Sequence, residues 1–124
     1  MKIICCDFDN TIAEAIEPYT GEVGELFQDA DYYINRLYDE GYYIIIWTCR
    51  AGEGLVKAKN WLDSKGINYH KINENADWEI LGYKPLPKVY YDVLIDDKIL
   101  GGLPLREDGK PDWERIYIMV RENI

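Results

Sequence analysis

The run Ile3-Ile4-Cys5-Cys6 leads without a break into Asp7-Phe8-Asp9-Asn10-Thr11. Apolar side chains at successive positions fill both faces of an extended segment, a pattern that suits a central strand covered on both sides. Residues 2–8 are therefore expected to form an inner parallel strand whose carboxyl end carries two carboxylates and a hydroxyl. In open parallel sheets, sites form outside the carboxyl ends of the strands. Asp7 and Asp9 are two apart and share one face of an extended segment. A bend after Asp7 would instead present the Asp9 carbonyl and swing its side chain elsewhere. The residues alone leave both geometries open. A lone Asp-x-Asp is also the signature of a polar turn or a helix cap.

The same kind of ending recurs downstream. Residues 42–47 are aromatic and β-branched, as a second buried strand is, and run into Thr48-Cys49-Arg50. Residues 89–95 are largely apolar and run into Asp96-Asp97. A parallel sheet gathers such ends on one edge, so three coincident polar endings outweigh the turn reading of any one of them.

The intervening text supplies crossovers. Residues 14–24 are polar, with Pro18 and Gly21, and are expected to form a loop. Residues 25–40 place Leu26, Phe27, Ala30, Tyr33, Ile34, Leu37 and Tyr38 at helical spacing, and Gly41 closes the helix. A second helix carries Leu55, Ala58 and Leu62 and ends at Gly66. Residues 67–72 are expected to be a strand, 73–87 a loop with at most a short helical turn, and 115–120 a last strand. Right-handed crossovers then build an α/β three-layer sandwich with a Rossmann-like, mostly parallel sheet. One domain is expected over residues 1–124, with no room for a sizeable cap.

Apolar residues make up 48% of the 124, enough to fill one core. No apolar run approaches the length of a membrane span, and Asp7 and Asp9 interrupt the first apolar stretch, which argues against a cleavable signal peptide. The three cysteines form no Cys-x-x-Cys pair. They fit free thiols in a reducing, cytoplasmic setting. Cys49 lacks a local base and is expected to be a buried or half-buried thiol; His70 is expected to be structural or on the surface. The net charge of −9, with no basic stripe, disfavours nonspecific nucleic-acid binding. It also means that any phosphate site must supply its own local positive charge.

Taken together these segments resemble the haloacid-dehalogenase-like superfamily of phosphotransferases. Asp7-Phe8-Asp9-Asn10-Thr11 matches the first motif, Ile44-Ile45-Ile46-Trp47-Thr48 the second, and Leu94-Ile95-Asp96-Asp97 the fourth. The third motif is a lone lysine; Lys88 and Lys84 both qualify, with Lys88 preferred because it leads into the acidic-pair strand. The resemblance implies a Mg²⁺-dependent phosphatase. Asp7 is then nucleophile and metal ligand, and Asp9 general acid and base with its carbonyl on the metal. Thr48 holds a phosphoryl oxygen and Lys88 neutralises Asp7. Asp96 is a metal ligand, with Asp97 binding directly, through water or by holding another ligand. Asn10, Thr11, Arg50 and Lys84 are candidate substrate contacts. Position 10 is Gly in many such phosphatases, and Asn10 departs from that while tolerating similar backbone angles.

The absence of a cap implies an open site for a small or bulky phosphorylated substrate, or one covered by a second copy in a homo-oligomer. Competing readings are a noncatalytic metal-binding regulatory module and a polynucleotide-end phosphatase. Arg50 admits two roles, contact with a substrate phosphate or pairing with an acidic loop residue.

Overall fold

A computed structural model describes residues 1–84 and 87–124. Four short strands, β1 (Ile3–Cys6), β2 (Tyr43–Ile46), β3 (Lys71–Ile72) and β4 (Val93–Ile95), form one parallel sheet in the order β3-β2-β1-β4. Helices α1 (Ala30–Asp39), α2 (Gly52–Ser64), α3 (Trp78–Leu81) and α4 (Trp113–Asn123) flank it, and no separate cap domain is present among the described residues. No helix among them is long and apolar enough to cross a membrane.

β1 lies at the centre because it is apolar on both faces. Ile4 and Cys6 face the larger core with Ile34 and Leu37 of α1, Ala58 and Leu62 of α2, and Ile116 and Val120 of α4. Ile3 and Cys5 face a thinner layer with Tyr43, Ile45 and Ala76, backed by Leu81, Val89, Tyr91 and Leu94. The chain winds from β1 outward through β2 to β3, then returns to the other side of β1 as β4. That reversal is the topological switch point at which open parallel sheets bind ligands. Register places Cys6 beside both Ile46 and Ile95, so the residues following all three strands emerge together.

Three expectations are corrected. The last segment is a helix, not a strand at 115–120. Trp113, Ile116, Tyr117 and Val120 are buried at helical spacing, and the Asp112 carboxylate caps the helix by accepting from the Arg115 N–H at 3.0 Å. Ile118 and Met119, partly exposed on the other side, disguise that period as a continuous apolar run. The first helix starts at Ala30 rather than 25, because the preceding arm pairs elsewhere. Phe27 N–H donates to the Ile12 carbonyl and Glu14 N–H to that of Glu25, so residues 14–25 form a flap closed at its base. Gly24 lets the arms close, since a Cβ there would meet the Glu14 carbonyl oxygen at 2.1 Å. Cys49 is exposed, not buried. The expected strands also shorten, to Lys71–Ile72 and Val93–Ile95. Within the loop expected at 73–87 the structure has α3, and residues 85 and 86 lie outside the described residues.

Candidate functional site

Asp7 follows β1 and is anchored by its N–H to the Ile95 carbonyl at 2.8 Å. The next residues turn sharply: the Phe8 carbonyl accepts from the amides of Thr11, Ile12 and Ala13, and Asn10 takes φ +62°. Asn10 holds the turn, its side-chain oxygen accepting from the Ala15 N–H at 2.9 Å. The turn sends Phe8 into the core and brings Thr11 back beneath Asp7. Thr11 is fully buried and links three parts of the site. Its hydroxyl donates to Asp7 Oδ2 at 3.0 Å and accepts from the Asp97 N–H at 3.1 Å, while its carbonyl accepts from Trp113 Nε1 at 2.8 Å.

Asp96 and Asp97 follow β4 directly. One carboxylate oxygen from each of Asp7, Asp96 and Asp97 lies within 4.8 Å of the others. Burial, above all, pushes the Asp7 carboxyl up to about 7, reinforced by a hydrogen bond shared with Asp97 and by the Asp96 charge; the Thr11 bond works the other way. Hard oxygen donors crowded in this way are a set that could hold a divalent cation.

The Asp9 side chain turns away from this triad. Its oxygens accept from Arg50 Nε at 2.8 Å and Nη2 at 2.9 Å. The bend after Asp7 is thus the geometry adopted. Arg50 is buried, and its other N–H groups go to the carbonyls of Gly21, Glu22 and Gly54. All five donors of the guanidinium are engaged within the protein. Arg50 thereby fastens the flap to Asp9 and to α2, and a Lys57–Glu22 ion pair of 2.7 Å adds a surface tie.

Thr48 sits at the end of β2, its N–H donating to Asn73 Oδ1 at 2.7 Å and its hydroxyl accepting from the Arg50 N–H. Asn73, which sequence reasoning did not single out, takes φ +57° and orients this turn. A cavity of about 630 Å³ opens over the sheet edge, lined by Asp7, Asp9, Asn10, Thr48, Cys49, Arg50, Asp96 and Asp97. Ile16, Glu17 and Tyr19 of the flap form its outer wall, and Lys98 completes the rim. Lys84 and Lys88 are not among its lining residues. Both are exposed, and Lys88 lines a different cavity with Asn75, Leu81 and Tyr90. The flap wall was missed because nothing in a polar loop signals which way it will face.

The thiols of β1 are not reactive groups. Burial pushes Cys5 up to about 12 and Cys6 well above the usual thiol range, with the nearby aspartates adding to both. His70 stacks on Tyr38 and Tyr43 and accepts the Ile44 N–H at Nδ1, away from the acidic cavity.

No protein-family model matches the chain, and no curated protein does. The structure is similar to that of a conserved protein from Bacteroides thetaiotaomicron, with a TM-score of 0.79 and 32% sequence identity, covering 98% of this chain and 91% of the other. The chain belongs to the same family as that conserved protein.

Proposed function

We propose that this protein is a haloacid-dehalogenase-like phosphatase that hydrolyses phosphate monoesters in the presence of Mg²⁺ through an aspartyl phosphate on Asp7. The observation that carries the reading is the meeting of Asp7, Asp96 and Asp97 at the carboxyl edge of the sheet. A Mg²⁺ there would be held by these carboxylates, with the Asp9 carbonyl as a further ligand, and would neutralise charge between nucleophile and phosphoryl group.

The protein's own residues supply the rest. An Asp7 oxygen attacks phosphorus, the ester P–O bond breaks, and the leaving oxygen takes a proton from Asp9. Water then attacks the phosphorus of the acyl phosphate and returns a proton to Asp9, releasing inorganic phosphate and restoring Asp7. Thr11 holds the Asp7 carboxylate in place, and the Thr48 hydroxyl is the candidate contact for a phosphoryl oxygen. Asp9 has both oxygens on Arg50, so it serves as acid and base through the lone pairs that this fork leaves free.

The test is phosphate release from an aryl phosphate and a panel of nucleotides, sugar phosphates, phosphopeptides and phosphate-ended oligonucleotides. Each is run with Mg²⁺, with EDTA and with Asp7→Asn. Turnover that needs Mg²⁺ and disappears in the variant supports the phosphatase. Mg²⁺ binding without turnover on the panel favours a regulatory module, a reading that the engagement of both Asp9 oxygens by Arg50 makes concrete.

A further inference from the structure

We propose that Lys98 is the cation that meets the anionic end of the substrate, the part that the sequence motifs give to Lys88 or Lys84. The inference rests on the phosphatase reading above and assigns the phosphate contact within that same site.

The cavity is rich in negative charge. Asp7, Asp9, Glu17, Asp96 and Asp97 line it, against Arg50 and Lys98. Arg50 is committed to Asp9 and three backbone carbonyls, so it has no N–H left for a ligand. Four carboxylates then face one uncommitted cation. A bound divalent ion offsets part of that charge, but a phosphate dianion adds two more negative charges. A local cation is needed to hold it.

Lys98 is placed for this. It follows the acidic pair directly, and its backbone N–H donates to Asp96 Oδ1 at 2.8 Å, which fixes its start at the cluster. Lys98 is exposed and lines the cavity, and among the described residues its side chain makes no hydrogen bond or ion pair. An ammonium on a flexible stem can follow a phosphoryl group from the ester oxygen to Asp7. Lys88 lacks this placement for a topological reason. The Asp92 N–H donates to the Ile3 carbonyl, level with the first residue of β1. The chain is therefore already at the amino edge of the sheet when it reaches 92, and the triad lies at the other edge.

The experiment compares Lys98→Ala, Lys98→Arg and Lys88→Ala with the wild type in the full chain. Affinity for inorganic phosphate in saturating Mg²⁺ is measured by calorimetry, alongside KM and kcat on an aryl phosphate. Loss of a charged hydrogen bond predicts that Lys98→Ala weakens phosphate binding and raises KM by about tenfold to a hundredfold. Lys98→Arg restores most of both, Lys88→Ala stays near the wild type, and all three melt like the wild type. Unchanged phosphate affinity in Lys98→Ala, or a loss confined to Lys88→Ala, overturns the assignment. A wild type that binds phosphate through Lys98 but turns over nothing sinks the phosphatase reading and leaves the contact standing. A wild type that neither binds phosphate nor turns over overturns both.

Discussion

Arg50 grips Asp9 with two parallel hydrogen bonds of 2.8 and 2.9 Å, although the residues are 41 positions apart. Its remaining N–H groups hold the flap at Gly21 and Glu22 and the start of α2 at Gly54. One side chain thus fixes the orientation of the proposed acid and base, the flap that walls the cavity, and the entry to a helix. Removing it leaves a carboxylate and three carbonyls without their donor. Arg50→Ala should cost about 3–5 kcal/mol, the range for breaking one side of a buried pair. Arg50→Lys should recover only part, since one ammonium cannot reproduce the fork. Urea denaturation gives both values; a loss under about 1 kcal/mol for Arg50→Ala would contradict the linkage.

The Asp7 carboxyl makes a pH signature in metal-free protein. Its folded value, about 7, lies above the ordinary value of 3.8. A raised acid contributes stability below its unfolded value, and that contribution falls away as the pH rises toward the folded one. In EDTA, Asp7→Asn should therefore melt a few °C above the wild type at pH 8. The difference should shrink between pH 7 and pH 4. Melting curves that stay parallel across that interval would refute it.

Mg²⁺ should stabilise the wild type by binding only the folded triad, by about 2.7 kcal/mol at a hundredfold excess over its dissociation constant. Asp96→Asn should remove most of this thermal shift, since it takes a charge from the cluster. Asp9→Asn should keep it, because the Asp9 carboxylate faces Arg50 and not the triad. Equal losses in the two variants would place the ion elsewhere.

Trp113 ties the last helix to the site through its bond to the Thr11 carbonyl. Trp113→Phe fills most of the space but leaves that buried carbonyl unpaired, at about 1–3 kcal/mol. Because Thr11 also bonds Asp7 and the Asp97 amide, the variant should bind Mg²⁺ more weakly than wild type when both are fully folded. Calorimetry below the melting range tests this, and an unchanged affinity would show that α4 supports only the core.

His70 should report on the edge strand. Burial lowers its value, and its Nδ1 accepts the Ile44 N–H, a bond that protonation removes. This contribution is present above the ordinary value of 6.5 and is lost as the pH falls below it. His70→Phe should flatten that part of the stability profile relative to wild type in the Asp7→Asn background, where the Asp7 term is absent.

What the sequence alone determined follows from local pattern. Short two-faced apolar runs that end in polar turn residues suit a strand covered on both sides, so Ile3–Cys6 and Tyr43–Ile46 were legible as strands, and with them the parallel α/β architecture. Because a parallel sheet aligns its strand ends, the meeting of Asp7, Asp96 and Asp97 was legible too. The last helix was not, because Ile118 and Met119 extend its buried stripe into an unbroken apolar run, and only the packing of Trp113, Ile116 and Val120 against the core selects the helical period. Tertiary structure alone decided that Asp9 turns to Arg50, that Leu26 and Phe27 close a flap instead of starting a helix, and that Lys98 rather than Lys88 lines the acidic cavity. Those outcomes depend on which distant groups satisfy each charge and each backbone hydrogen bond, and no local pattern of residues encodes that choice.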